Sequence, residues 1–197
     1  MRMALAAFAF LSASAGGCTP TEGVNASCFN RSSKEIGGPF RLTSDSGAPV
    51  TEDSFKGRKT LVFFGFTHCP DVCPATLYEI GTAMTLLPKN VKPPKTALIS
   101  VDPARDTPEE LARYVKSNGF PSDIVGLTGT LDELHQVASE FAAPFSRDED
   151  AEADGASGYV VNHSAILYLM DENWKLATFF QPGERPEDIA KCIAALS

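Results

Sequence analysis

Apolar residues along the chain fall into short continuous runs that predict buried strands. The runs are Leu61 to Phe66, Thr96 to Val101, Ser164 to Met170 and Leu176 to Phe180, and Ile124 to Leu127 is a candidate fifth. Runs of this length without polar alternation are typical of strands that are covered on both faces. The sequence therefore predicts a central sheet between two layers.

Helical periods separate these runs. Pro74 to Leu87 places its large apolar residues on one face and stops before Pro88. Thr107 and Thr130 are each followed three residues later by glutamate, which is the spacing of a capping box, and Pro186 suits the first position of a last helix. We expect helices to begin at these points.

The order of the elements predicts an α/β fold of the thioredoxin-like type. Strands and helices alternate until a final pair of adjacent strands, which predicts a mixed sheet with an antiparallel edge, flanked by helices. Pro39 to Phe55 surrounds the turn signal Asp45-Ser46-Gly47 and predicts an N-terminal β-hairpin extension.

The N-terminal residues have the pattern of an export signal. A short apolar run follows Arg2, and it is shorter than the roughly 20 residues that span a bilayer. We interpret residues 1–17 as a signal peptide, 18–36 as a flexible polar tether and 37–197 as the folded domain. Cleavage after Ala15 and lipidation of Cys18 both remain open, so the protein is expected on the periplasmic side of the cell membrane, with a membrane tether at its N-terminus as one option.

The charge of the chain narrows the class of partner. The formal net charge is −8, and clustered basic residues of the kind that bind phosphate are absent from the sequence, which argues against nucleic acid. Cationic partners or metal ions fit the negative net charge of the chain better than nucleic acid does. The acidic stretch Asp148 to Asp154 is expected to be a mobile loop before His163.

Five cysteines are present, and two of them have no chemical role in this interpretation. Cys28 and Cys192 could form a disulfide in an exported protein. Cys192, however, falls on the apolar stripe of the last helix, so a buried, unbonded side chain is the simpler interpretation.

Cys69 and Cys73 lie in GFTHCPDVCP, directly after an apolar run. If Pro74 opens the helix, Cys73 lies near the helix cap, where free amides and the helix dipole favour its thiolate. The pair can act as a redox-active dithiol or as ligands of a soft metal. Three intervening residues, rather than two, suit metal binding without forbidding a disulfide.

A third ligand must come from His68, His135 or His163, since these are the three histidines of the chain. His163 is the best candidate, because it lies at a strand entry that faces the thiol turn in this type of fold. Two thiolates and an imidazole suit Cu(I), or Cu(II) with an added oxygen ligand. Structural zinc usually takes four protein ligands, so the three candidate ligands found here fit it less well than copper.

The chain resembles the Sco (SenC/PrrC) family, which takes part in assembling cytochrome c oxidase. The resemblance runs from about Gly37 to Leu196 and rests on four segments: Gly65 to Pro74, Ser100 to Pro108, Val161 to Ser164 and Tyr168 to Asp171.

The resemblance implies that Cys69, Cys73 and His163 bind copper, and that the protein delivers it to the copper A site of oxidase subunit II. The family commonly has Asp where this chain has Asn162, which removes a charge near His163 and bears on affinity. Other implied partners are periplasmic copper chaperones or thiol oxidoreductases. The alternative function is a thiol-disulfide oxidoreductase that keeps partner cysteines reduced. In the sequence, helix capping is a sufficient explanation for Asp106 and Thr107, and Asp102 is not assigned as a ligand.

Overall fold

The computed structural model describes residue 28, residues 35–148 and residues 159–197. In these ranges the elements follow one another as β1 (Arg41–Ser44), β2 (Pro49–Thr51), a short 3-10 helix (Glu52–Phe55), β3 (Thr60–Gly65), α1 (Val72–Thr85), β4 (Lys95–Ser100), α2 (Pro108–Tyr114), β5 (Ile124–Thr128), α3 (Leu131–Glu140), β6 (Phe145–Asp148), β7 (Val160–His163), β8 (Leu167–Met170), β9 (Leu176–Phe180) and α4 (Pro186–Ala195).

Seven strands form a mixed sheet in the order β2-β1-β5-β4-β3-β8-β9. Strands β3, β4 and β5 are parallel, whereas β8 and β9 add an antiparallel edge beside β3. The predicted hairpin is present as β1 and β2, and β1 also pairs with β5, so it extends the main sheet. The predicted α/β, thioredoxin-like fold is confirmed.

Consecutive residues of β3 show that both faces of the sheet are covered. All six residues of this strand are buried. Phe64 packs edge-on against Phe141 at the end of α3, with ring centroids 5.4 Å apart. Gly65, the next residue, faces Cys73 of α1. Since side chains alternate across a strand, α1 and α3 lie on opposite faces.

The helix starts agree in part with the sequence. Thr107 accepts a hydrogen bond from the amide of Glu110, and Thr130 and Glu133 form the reciprocal capping box. The prediction for α1 was wrong at its start: the helix begins at Val72 rather than Pro74, so Cys73 lies inside the first turn. Pro74 fits there because first-turn amides have no intrahelical acceptor to lose.

A disulfide joins Cys28 to Cys192, with the Cα atoms 5.1 Å apart. The interpretation of Cys192 as unbonded was therefore wrong, although its burial was right, since it is 0% exposed. A helical stripe reports which face of a helix is buried, but not which distant residue reaches that face.

Several N-terminal and loop expectations lie outside the described residues. These are the signal peptide, Cys18, most of the tether, and residues 149–154 of the acidic stretch. Within the ranges that the structure describes, none of the helices combines the length and the apolar character that crossing a membrane requires.

Gly81 allows α1 to touch the backbone of the turn after α2. A Cβ atom at this position would lie 2.0 Å from the carbonyl oxygen of Gly119. Helix propensity alone predicts a gain of about 1 kcal/mol for Gly81→Ala. Overpacking against backbone costs about 3 kcal/mol, so we expect a net loss of about 2 kcal/mol in the free energy of unfolding.

Urea denaturation of the metal-free protein measures this loss. Thr85→Ala, at an exposed position of the same helix, is the matched control and should change stability by less than about 0.5 kcal/mol. A Gly81→Ala variant that is more stable than the parent would show that α1 has room to move.

Candidate metal centre

Three side chains that are distant in sequence meet at one end of the sheet. Cys69 follows β3, Cys73 lies in the first turn of α1, and His163 ends β7. Their sulfur and nitrogen ligand atoms all lie within 4.8 Å of one another, and the Sγ atom of Cys73 is 3.6 Å from Nε2 of His163. The cluster therefore offers two sulfurs and one imidazole nitrogen to a single ion.

A hydrogen bond sets the tautomer of His163. Its Nδ1 atom lies 3.0 Å from the carbonyl oxygen of Ser164. A carbonyl oxygen can only accept, so Nδ1 carries the proton and donates it. The lone pair of a neutral imidazole is then on Nε2, which is the nitrogen that faces Cys73, so the ring is oriented for coordination.

Gly65 makes room for the Cys73 sulfur. A Cβ atom at residue 65 would lie 3.0 Å from Sγ of Cys73 and 2.9 Å from the ring of Phe63. Phe63 and Phe66 in turn meet His163 edge-on, with centroid distances of 6.3 and 5.7 Å. The donor atoms are thus packed in an apolar surround, where a soft ion has few competing oxygen ligands.

The two thiols have opposite electrostatic environments. A hydrogen bond from the Cys73 thiol is the largest cause that lowers the pKa of Cys69 to about 4, and the backbone amides of Cys73 and Asp71 add to it. The hydrogen bond to Cys69, followed by burial, raises the pKa of Cys73. Cys69 is therefore the thiolate and Cys73 the proton donor.

The helix start was expected to favour the thiolate of Cys73, but the pKa of this thiol is raised instead. The amide of Cys73 points at Cys69, with its nitrogen 3.4 Å from that sulfur, so a free amide of the helix start stabilises the preceding cysteine. Cys69 is also the more accessible of the two, at 8% exposed against 0% for Cys73. Both features favour Cys69 over Cys73 as a nucleophile.

Asp106 is a site residue that sequence reasoning misread. Its carboxylate accepts hydrogen bonds from the Thr67 amide (3.2 Å), the Thr67 hydroxyl (2.6 Å) and the Ser100 hydroxyl (2.7 Å), and does not cap α2. Burial raises the pKa of this carboxyl. Since Thr67 lies two residues before Cys69, Asp106 fixes the start of the thiol loop. The motif Ser100 to Pro108 signalled its importance, but not this contact.

The other candidates stay apart from the cluster. His68 is exposed, and its Nδ1 atom lies 3.0 Å from the hydroxyl of Thr67. His135 is exposed on α3 and stacks on Phe145 with centroids 4.4 Å apart. Asp102 is buried, and its carboxylate accepts a hydrogen bond from the Tyr159 hydroxyl, so it is not among the gathered ligand atoms.

Comparison with known proteins gives consistent matches. The family described as SCO1/SenC matches residues 30–197. The human mitochondrial SCO1 homolog is 40% identical over 170 residues, which cover 81% of this chain and 52% of that protein. The crystal structure of Arabidopsis thaliana ScoI with copper bound has a TM-score of 0.75 at 35% identity and covers 81% of this chain and 96% of the other.

The structure of Bradyrhizobium japonicum ScoI with copper bound has a TM-score of 0.69 at 36% identity, and the match covers 81% of this chain and 98% of the other. The chain spans about half the length of the curated relatives it matches, from 42% to 60% for human, plant and fission yeast proteins. The match to the solved domains is therefore nearly complete, whereas the match to the curated proteins is partial.

Proposed function

The chain belongs to the SCO1/SenC family, and we propose that it is a copper metallochaperone acting in the assembly of cytochrome c oxidase. One observation carries the proposal: two sulfurs and an imidazole nitrogen lie within 4.8 Å of one another. This donor set prefers copper over harder ions. Relatives of similar structure that hold copper support the same conclusion.

Cys69, Cys73 and His163 are the proposed ligands. Cys69 already favours its thiolate and presents the first donor, while Cys73 gives up its proton when it binds. His163 presents Nε2 without a change of tautomer. Cu(I) is the natural cargo of this set, and Cu(II) would need an added oxygen ligand. Binding therefore weakens as pH falls, because protons compete for the donor atoms.

The proposed recipient is the copper A site of oxidase subunit II, which would receive the ion by exchange of ligands. We place the domain on the periplasmic side of the cell membrane, with other copper chaperones or thiol oxidoreductases as further partners. Mass spectrometry of the mature N-terminus tests the location: a lipid on Cys18, or cleavage near Ala15, is expected. An intact N-terminus in the mature protein would contradict export.

A second function follows from the thiol pair itself. The acidic, more accessible Cys69 can attack a partner disulfide, and Cys73 lies in place to release the mixed disulfide. Two electrons pass to the partner, and this protein is left with a Cys69–Cys73 disulfide. That oxidised form lacks thiolate ligands, so copper binding and reduction exclude each other within one molecule.

Anaerobic titration with Cu(I), against a chromophoric competitor, tests the proposal. The reduced parent should bind one ion per chain, and the variant with both Cys69→Ala and Cys73→Ala should bind none. His163→Ala should weaken binding by more than about 100-fold, because removing a ligand costs more than removing its hydrogen-bond partner. His68→Ala, at an exposed histidine beside the site, is the matched control and should bind as the parent does.

The same variants separate the two functions. If His163→Ala binds copper as tightly as the parent while the parent reduces disulfides with many turnovers, the imidazole is not a ligand and the reductase is the better description. Stoichiometric binding that depends on His163 supports the metallochaperone.

A further inference from the structure

The strand that carries His163 is not hydrogen-bonded to the main sheet. Strands β6 and β7 pair only with each other among the described strands, in a separate two-stranded sheet with Phe145 opposite His163. After His163 the chain enters the main sheet at Leu167, which pairs with Phe63. The C-terminal side of His163 is thus anchored to the main sheet by backbone pairing. On its N-terminal side, β7 is backbone-paired with β6, and this two-stranded sheet is joined to the main sheet through side chains.

Tyr159 links the start of β7 to the turn after β4 through its side chain. It directly precedes β7, is 8% exposed, and its hydroxyl donates a 2.7 Å hydrogen bond to the carboxylate of Asp102, which is 3% exposed. Arg105 donates from Nε to the same carboxylate, and its guanidinium lies 3.8 Å from the Tyr159 ring centroid. Arg147 of β6 lies 3.5 Å from that centroid. We call Asp102, Arg105 and Tyr159 the tyrosine latch.

Two residues of the latch, Asp102 and Arg105, lie in the turn that also holds the thiol loop. Asp102 and Asp106 lie in the turn after β4, and the amide of Asp106 donates to the backbone carbonyl of Asp102 at 2.9 Å. Asp106 binds Thr67, ahead of Cys69, while Asp102 binds Tyr159, ahead of His163. The turn after β4 therefore contacts both of the segments that carry the proposed ligands, the one that leads to Cys69 and the one that leads to His163.

We propose that Tyr159, through its hydrogen bond to Asp102, is a positioning residue that holds His163 within coordinating distance of Cys69 and Cys73. The inference rests on the proposed function. Without this bond, β7 loses its side-chain anchor ahead of His163, and the imidazole must be ordered again each time an ion binds. The cost falls on the contribution of His163, because the sulfurs are held by α1 and by Asp106.

The test is a double-mutant cycle on the full chain with Cu(I) and a competing chelator. Tyr159→Phe keeps the ring between the two guanidinium groups and removes only the hydroxyl. We expect it to weaken binding by about tenfold in the parent and to have no further effect in the His163→Ala background. Tyr78→Phe, at a tyrosine that is 59% exposed, is the matched control and should leave the affinity unchanged.

A second measurement does not depend on copper. In the metal-free protein, the imidazole protons of His163 should show nuclear Overhauser effects to the ring of Phe66, since the two rings meet edge-on at 5.7 Å. These effects should weaken in Tyr159→Phe and in Asp102→Asn, and stay intact in Tyr78→Phe.

Two results would overturn the latch. One is equal weakening by Tyr159→Phe with and without His163, which would mean that the tyrosine acts on the thiols or on the fold as a whole. The other is an unchanged contact between His163 and Phe66 in Tyr159→Phe. Neither result is the failure of the proposed function. That failure would appear as a His163→Ala variant that binds copper as tightly as the parent.

Discussion

Replacing Cys73 with alanine is expected to raise the pKa of Cys69 from about 4 toward the ordinary value of about 8.5. The thiol of Cys73 is the largest cause of the lowered pKa, because it donates a hydrogen bond to the thiolate. Removing the donor destabilises the anion, so the proton stays on Cys69 up to a higher pH. Thiolate absorbance against pH, with the Cys28–Cys192 bond intact, measures the midpoint.

Cys73→Ser is the matched control for this prediction. Its hydroxyl can still donate to Cys69, so the midpoint should stay well below that of Cys73→Ala. Both variants lack the Cys73 sulfur and should lose tight Cu(I) binding alike, which separates the charge of Cys69 from the proposed ligand role of Cys73. If the midpoint stays near its parent value in Cys73→Ala, the backbone amides of residues 71 and 73 would be enough to hold the thiolate.

Removing the disulfide with Cys28→Ala is expected to lower the free energy of unfolding by about 3–5 kcal/mol. The two cysteines are 164 positions apart, and closing so long a loop restricts the unfolded chain strongly. For a chain of this size, the thermal midpoint should fall by about 10 °C. Cys28 is the better position to change, because it is half-buried, whereas truncating the fully buried Cys192 would also leave a cavity.

A reductant provides the control for the bond itself. It should lower the parent to the stability of Cys28→Ala and leave the variant unchanged, since Cys69 and Cys73 are free thiols in both proteins. Equal stability of parent and variant before reduction would mean that the bond does not constrain the unfolded chain.

The central strands could be predicted because their burial is continuous. Leu176–Phe180 was predicted with its observed bounds, and β3, β4 and β5 were displaced by one residue at most at either end. Strand β6 (Phe145–Asp148) was missed, because its residues are exposed or half-buried and form no apolar run. A two-stranded sheet outside the main one leaves little trace in a hydrophobic pattern.

The identity of the clustered residues was also accessible from the sequence, since few residue types bind soft metals and the chain has few of them. The sequence did not show which of the two sulfurs carries the negative charge. The relative acidity of Cys69 and Cys73 depends on the directions of the Cys73 thiol and the Cys73 amide, and on the burial of the Cys73 sulfur against Gly65 of β3. The roles of Asp102 and Asp106 depend likewise on partners far along the chain, at Tyr159 and Thr67.

The bond between Cys28 and Cys192 also determines how mechanical load enters the domain. A pull on the chain upstream of Cys28 passes directly into α4 and, through the packing of the two helices, into α1. The bond closes the chain between the two cysteines into a ring, so tension applied upstream of Cys28 bypasses β1 and does not pull this strand away from the sheet.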